Sequence, residues 1–424
     1  MSHPSRRKSL LVLGVVLSGL VALAWPQLRA SYAYLAAERA LHAREPARAK
    51  PHLDVCLATW PTHPRVQLLA AQLARWAGFY EEADRRITLY QELGGDRDTA
   101  SLERVLLEVQ QGRLSLGADF RIQEWIDTKH PRLNEILEVA SEAYVRGYRL
   151  PSARYCLDAW IERQPDSVTA RLRRGWVFER LFQATEAEQD YRALLERHPD
   201  HQEARLRLAQ LLLLNNEPAE AVEHLERLAR HDVTPPMVAA LAAGLRALGQ
   251  ADQAHERLSA ALVRFPREGP LWLERGRAAI DLRRMDDAER DLRKAAELQP
   301  DDYQVNYQLA QFLRRAGQKE EAERTQARAD RIDADQKRMY ELSERLQGRP
   351  YDPDLRSQMG QLMLRNGEPR EGVLWLESAL RIDPAFRPAH KALAEHFEQT
   401  RQAARAAEHR RFLSAGGSGD GKQP

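Results

Sequence analysis

The chain has 424 residues, a formal net charge of +2 and 30% charged residues. Its positive charge is almost all arginine, interleaved with acids as in Glu81, Glu82, Asp84, Arg85 and Arg86. That mixture marks solvated helix faces and excludes the one-signed, aromatic-laced footprint that nucleic acid requires. No stretch alternates in the manner of a sheet, so the fold class is all-α.

At the N-terminus, Arg6, Arg7 and Lys8 precede an uncharged run over 9–28 whose centre is almost entirely Leu, Val, Ala and Gly. Such a run is long enough to cross a bilayer, and basic residues stay cytoplasmic. The expected organisation is a cytoplasmic segment 1–8 and a transmembrane signal-anchor helix 9–28. The rest then lies on the extracytoplasmic side, periplasmic in a bacterium. Cleavage near Ala24, at Ala22, Leu23 and Ala24, is the competing reading and makes the chain secreted. Trp25 and Pro26 fit poorly after such a cut.

From residue 30 a small residue recurs at Ala49, Ala83, Ala118, Ala153, Ala187, Ala221, Ala254, Ala288 and Ala322, at intervals of 33 to 35. A fixed period of this length is the mark of a repeat architecture. Four residues after most beats stands a larger apolar residue, such as Leu53, Ile87, Leu225 or Leu292, and three further on another. The stripe predicts an amphipathic helix. Pro61, Pro165, Pro199, Pro266, Pro300 and Pro384 end these helices, and Gly78, Gly147, Gly249, Gly317 and Gly367 mark the turn ahead of them.

After Ala322 the beat pauses for 50 residues. Gln318 to Gln347 holds no proline or glycine, which predicts one helix of about 45 Å. Ile332, Met339, Leu342 and Leu346 form a short heptad seam, interrupted at Arg328 and Asp335, so self-association through 318–347 or a hinge is expected there. Residues 30–347 thus hold nine repeats with the last helix elongated. Two more, at Gly372 and Ala406, fill 348–412, and 413–424 reads as a disordered tail.

Helix, glycine turn, helix and proline stop resembles the tetratricopeptide repeat, best at Trp272, Gly276, Ala279, Ala288, Leu292, Ala295 and Pro300. The resemblance implies a right-handed α-solenoid of about eleven repeats whose first helices line a concave groove. It places an acidic stretch there, Glu103, Glu135, Glu138 and Glu142. It also implies a partner-binding set: Trp176, Arg277, Tyr307, Gln308, Gln311, Arg314, Arg315, Gln361 and Arg365. Arginine forks and glutamine amides suit peptide backbone and carboxylates. A clamp for chaperone C-terminal carboxylates is disfavoured, because Glu395 follows Lys391 where the family has asparagine.

No nucleophile, phosphate-loop or zinc motif occurs, and the repeats occupy nearly the whole chain. His390, His396 and His409 lack the helical spacing of metal ligands, and Cys56 and Cys156 read as core filler. The expectation is a non-enzymatic, membrane-anchored scaffold with no cofactor and no metal, binding a protein or peptide. The alternative is an accessory subunit that presents substrate to a separate envelope enzyme or assembly machine.

Overall fold

The computed structural model describes residues 24–112, 115–147, 149–181, 183–230, 233–349 and 351–414. Within these the chain is helical and forms no strand. Helices follow one another as pairs. The first members are α1 (24–42), α3 (Pro64–Trp76), α5 (Arg97–Gln110), α7 (Leu133–Arg146), α9 (Val168–Arg180), α11 (Gln202–Leu214), α13 (Pro235–Ala247), α15 (Gly269–Asp281), α17 (Tyr303–Arg315), α19 (Pro353–Arg365) and α21 (Arg387–Gln399). Their second members are α2 (Pro46–Thr59), α4 (Tyr80–Glu92), α6 (Leu116–Asp127), α8 (Leu150–Arg163), α10 (Ala184–Arg197), α12 (Pro218–Ala229), α14 (Ala251–Arg264), α16 (Met285–Leu298), α18 (Lys319–Gly348), α20 (Pro369–Ile382) and α22 (Ala403–Ser414).

Two compact units are present, residues 1–143 and 144–424. Their division falls inside α7, well ahead of the missed beat, and the second unit runs on through α18 to α22. Within that unit, Arg149 Nη2 donates to the Tyr351 hydroxyl at 2.7 Å and Arg356 Nη1 to the Gly147 carbonyl at 3.5 Å, so segments about 200 residues apart in sequence meet.

Every beat residue is buried, because the second helix lies against its own first helix there and only a small side chain fits. At the tenth pair the approach is backbone to backbone. A Cβ on Gly372 would stand 2.9 Å from the Gly360 carbonyl oxygen, which explains glycine at a beat where other pairs use alanine. The turn five residues ahead of a beat takes a left-handed residue, with φ of 77° at both Gly249 and Gly367. Arg44, Asn216, Arg283 and Arg401 adopt the same conformation at the same register without being glycine.

The prolines end helices as expected, since the residue before each is extended or nearly so, for example Gln299 at φ −134° and ψ 69°. They also do something the sequence did not announce. The side chain six residues later donates to the proline carbonyl: Arg171 to Pro165 at 2.8 Å, Trp272 to Pro266 at 2.9 Å, Asn306 to Pro300 at 2.8 Å and His390 to Pro384 at 2.9 Å. Gln67 and Arg205 do the same for Pro61 and Pro199. Each bond ties one repeat to the next and contributes about 1 kcal/mol.

α1 packs Ala30, Ala33, Ala37 and Ala40 on Ala49, Leu53 and Cys56, and Trp60 Nε1 donates to Gln27 Oε1 at 2.5 Å. Residues 24–28, expected to end the membrane span, therefore belong to a helix that continues into the first repeat. The remainder of that span, 9–23, lies outside the described residues, as do segment 1–8 and the tail from 415. Among the described residues no helix is long and apolar enough to cross a membrane.

The elongated helix is α18, 30 residues in one piece. Its seam, where self-association through 318–347 or a hinge is expected, packs within the chain. Leu342 and Leu346 are buried with Leu355, Met359 and Trp375, and Met339 packs on that cluster. Ile332 is buried as well. Asp335, which interrupts the heptad, is an anchor: it accepts from Arg365 Nε at 2.7 Å and from Asn366 Nδ2 at 3.1 Å.

Candidate functional site

At three places the first helices of neighbouring pairs bridge in the same register. A residue eight ahead of one beat meets a residue fourteen or fifteen ahead of the next. Arg75 Nε donates to Glu103 Oε2 at 3.0 Å, Arg207 Nη1 to Glu179 Oε2 at 3.0 Å and Arg246 Nη1 to Glu274 Oε2 at 2.9 Å. Each pair spans 28 residues, one repeat less the turn between helices.

In the first unit this bridge grows into a closed cluster, which corrects the acidic stretch. Glu103 is fully buried, with Arg75 on one side and Arg132 Nη2 at 2.6 Å on the other. Arg75 Nη2 reaches Glu135 at 2.5 Å, and Arg132 reaches it at 2.6 Å. Burial works against the Glu135 carboxylate, but Arg75 and Arg132 outweigh it and hold its pKa below the usual range. Glu138 pairs with Arg44, whose guanidinium lies 3.8 Å over the Trp76 ring. Only Glu142 stays exposed. A cation-seeking surface is thus absent from Glu103, Glu135 and Glu138.

The second unit leaves more open. A concavity of about 580 Å³ between α15 and α17 brings together Arg277, Tyr307, Gln308, Gln311 and Arg315 over Ile280 and Phe312. Arg277 is held by Glu274 at 2.7 Å and Gln304 at 2.8 Å. Arg246 on the rim is held by Glu274 and by Asp281 at 2.8 Å. Tyr307 stacks on Tyr303 with centroids 5.7 Å apart. Among the described residues, the Tyr307 hydroxyl, Gln308, Gln311 and Arg315 form no hydrogen bond or ion pair within the chain.

The other expected groove residues lie elsewhere. Arg314 turns to its own second helix, where Nη2 meets Gln326 Oε1 at 3.4 Å. Arg365 is locked to Asp335. Gln361 donates to Ser357 Oγ at 3.1 Å and lines a separate hollow of about 1290 Å³ with Arg387 and Lys391. Trp176 is half-buried beneath Arg180, whose guanidinium is 5.3 Å from the ring, and lines neither hollow.

A recess of about 810 Å³ over α11, α13 and α15 escaped the sequence reading. Leu214, 80% exposed, faces it with Leu213, Pro236, Ala239, Ala243 and Leu273. Its signal was present in α13, PPMVAALAAGLRA, which apart from Arg246 is apolar all round although one face meets solvent.

At the C-terminal cap, His390 Nε2 faces the Pro384 carbonyl, so that nitrogen carries the proton and Nδ1 is the acceptor. His409 Nδ1 then donates to it at 2.9 Å. Phe412 stacks on His390 with centroids 4.2 Å apart. Cys56 and Cys156 are buried and free of any disulfide. Among the described residues no group of three or more His, Cys, Asp or Glu could hold a metal ion.

These stacked helix pairs define a helical-repeat protein. A family model described as tetratricopeptide repeat matches residues 181–245 and 284–346, and another of that description matches 240–289. No curated protein matches the chain. Among solved structures it is similar to TTC0263, a thermophilic TPR protein of Thermus thermophilus, at 25% identity over 47% of this chain and 100% of that one, TM-score 0.35. It is similar also to the type IV pilus biogenesis factor PilW, at 18% identity over 46% and 91%, TM-score 0.41. The human IFIT1 dimer with PPP-AAAA matches at 17% identity over 76% and 91%, TM-score 0.39.

Proposed function

We propose that this chain is a non-enzymatic interaction scaffold that captures a protein or peptide segment on the first-helix face of its second unit, beside α17. One observation supports this most directly. Tyr307, Gln308, Gln311 and Arg315 line one hollow and, among the described residues, have no polar partner inside the chain, whereas Arg246 and Arg277 beside them have acids. Amide donors, amide acceptors and a guanidinium fork are what an extended backbone with a carboxylate requires. The helices are already packed, so the partner alone meets the ordering cost.

Residues 9–28 hold the scaffold at a membrane, with the repeats on the extracytoplasmic side. The basic residues 6–8 ahead of that run support this orientation. A role as the accessory subunit of an envelope enzyme or assembly machine is the second form of the same reading, since presenting a substrate also needs the groove. A photo-crosslinking residue at Gln311 should yield a defined adduct in membranes, and the same group at Val263, exposed on α14, should not. Arg315→Glu should abolish the Gln311 adduct. Adducts of equal yield from both positions would remove the groove from the reading.

A further inference from the structure

The bridges between first helices are not all ionic. Between α9 and α11 the bridge is Glu179 with Arg207, and between α13 and α15 it is Arg246 with Glu274. Between them, the same register across α11 and α13 holds Leu213 and Ala240. Between these two ionic rungs one rung is therefore apolar, and its second residue is too small to fill the gap. The recess opens at that place, with Glu179, Arg207 and Glu274 on its borders. Ala239 and Ala243 widen it, and the exposed Leu214 forms one wall.

Beyond the Arg246 bridge lies the hollow of Arg315, which pairs with no acid among the described residues. Resting on the groove reading above, we infer that the occupant is an extended segment of a partner protein with a bulky apolar side chain and a carboxylate. The apolar side chain, Leu, Met or Phe, seats in the recess over α13, and the carboxylate pairs with Arg315. First helices two repeats apart stand ~20 Å from each other. An extended chain crosses that distance in about six residues. The ion pairs bordering the recess admit no second apolar anchor beside the first, since burying them under hydrocarbon costs more than it returns. Spacing and residue class are thus set together.

The test uses the full chain in detergent and fluorescein-labelled peptides of Gly and Ser carrying one Phe and one Asp, separated by about two, six or twelve residues. The six-residue peptide should bind best. Phe→Ala in the peptide, or Ala243→Phe in the protein, should weaken it about tenfold or more. Arg315→Glu should weaken it similarly, yet leave a peptide without Asp unchanged. Val263→Glu, on a second helix, is the folding and charge control. Binding that depends on Arg315 but ignores both Phe→Ala and Ala243→Phe overturns the anchor while leaving the groove reading in place. No Arg315-dependent binding by any peptide overturns both. If Ala243→Phe alters the sedimenting mass instead, a second copy occupies the recess and the inference fails.

Discussion

Arg75 and Arg315 stand near the C-terminal ends of α3 and α17, on the same side of their helices and one register step apart, yet they are opposite in character. Arg75 is 1% exposed and serves Glu103, Glu135 and Gln110 at once. Arg315 is exposed and serves nothing among the described residues. Residue type does not separate them, and position separates them by one residue, since Arg314 holds the place of Arg75. What separates them is the neighbouring first helix: α5 and α7 bring acids to Arg75, whereas the elongated α18 intervenes in the chain before α19, which carries Gln358 at the corresponding place. A groove arginine is structural where the next repeat returns an acid in register and available where it does not.

The largest expected effect lies in the buried cluster. Arg75→Met leaves the buried Glu103 with Arg132 as its one remaining cation, and removing one member of a buried ion-paired cluster costs about 3–5 kcal/mol. Urea unfolding followed by helicity, with hydrogen exchange across 64–143, should show that loss concentrated in the first unit. A double change that replaces both Arg75 and Glu103 with apolar residues of similar volume should recover much of it. A loss below about 1 kcal/mol would mean that water reaches the cluster and that the contrast with Arg315 is overstated.

The repeat itself was legible because its signals are local. A small residue every 33 to 35 positions, apolar residues four and seven later, and a proline stop all lie within one helix or one turn. The elongated α18 was legible for the same reason, being a stretch without breakers. The groove was not, because its character depends on which side chains neighbouring repeats set opposite each other. Glu103 and Glu135 look like solvated acids in sequence, and Asp335 looks like a flaw in a heptad; their partners lie 28 to 60 residues away. The proline-carbonyl donors hid differently: Gln67, Arg171, Trp272, Asn306 and His390 share a place and a donor nitrogen, not an identity.

Acidification should sharpen the difference between the units. His224, His255, His396 and His409 of the second unit all have pKa values below the ordinary 6.5, burial being the first cause in each. For His409 the facing His390 and Arg405 add to burial, and Glu408 opposes it. In the first unit His130 is shifted the same way, again chiefly by burial. A histidine with a lowered folded pKa binds its proton more readily when unfolded. Its stability contribution is therefore complete above about pH 6.5 and is lost as pH falls through the folded value. Hydrogen exchange at about pH 7.5 and about pH 5 should show α21 and α22 losing protection more than α3. His409→Phe should reduce the slope at the cap.

A smaller gain is expected at the turn between α15 and α16. Arg283 holds φ 59°, a conformation that costs an ordinary L residue about 1–2 kcal/mol and glycine nothing. Glycine gives back part of that through its freer unfolded chain, so Arg283→Gly should stabilise by about 0.5–1 kcal/mol. Its side chain is exposed and has no ion pair among the described residues, so nothing else changes. Arg401→Gly at the same register provides a repeat of the measurement.

The smallest stability effect, and the decisive one for the comparison, belongs to Arg315. With no acid beside it and its side chain in solvent, Arg315→Ala should move the unfolding free energy by less than about 0.5 kcal/mol. The same change should weaken capture at Gln311, because a carboxylate brought to that hollow would lose the cation free to meet it. Arg314→Ala, one residue away and turned toward Gln326, should leave capture unchanged. A stability loss at Arg315 comparable to that at Arg75 would place it in the framework of the fold. The two arginines would then differ in exposure alone and not in purpose.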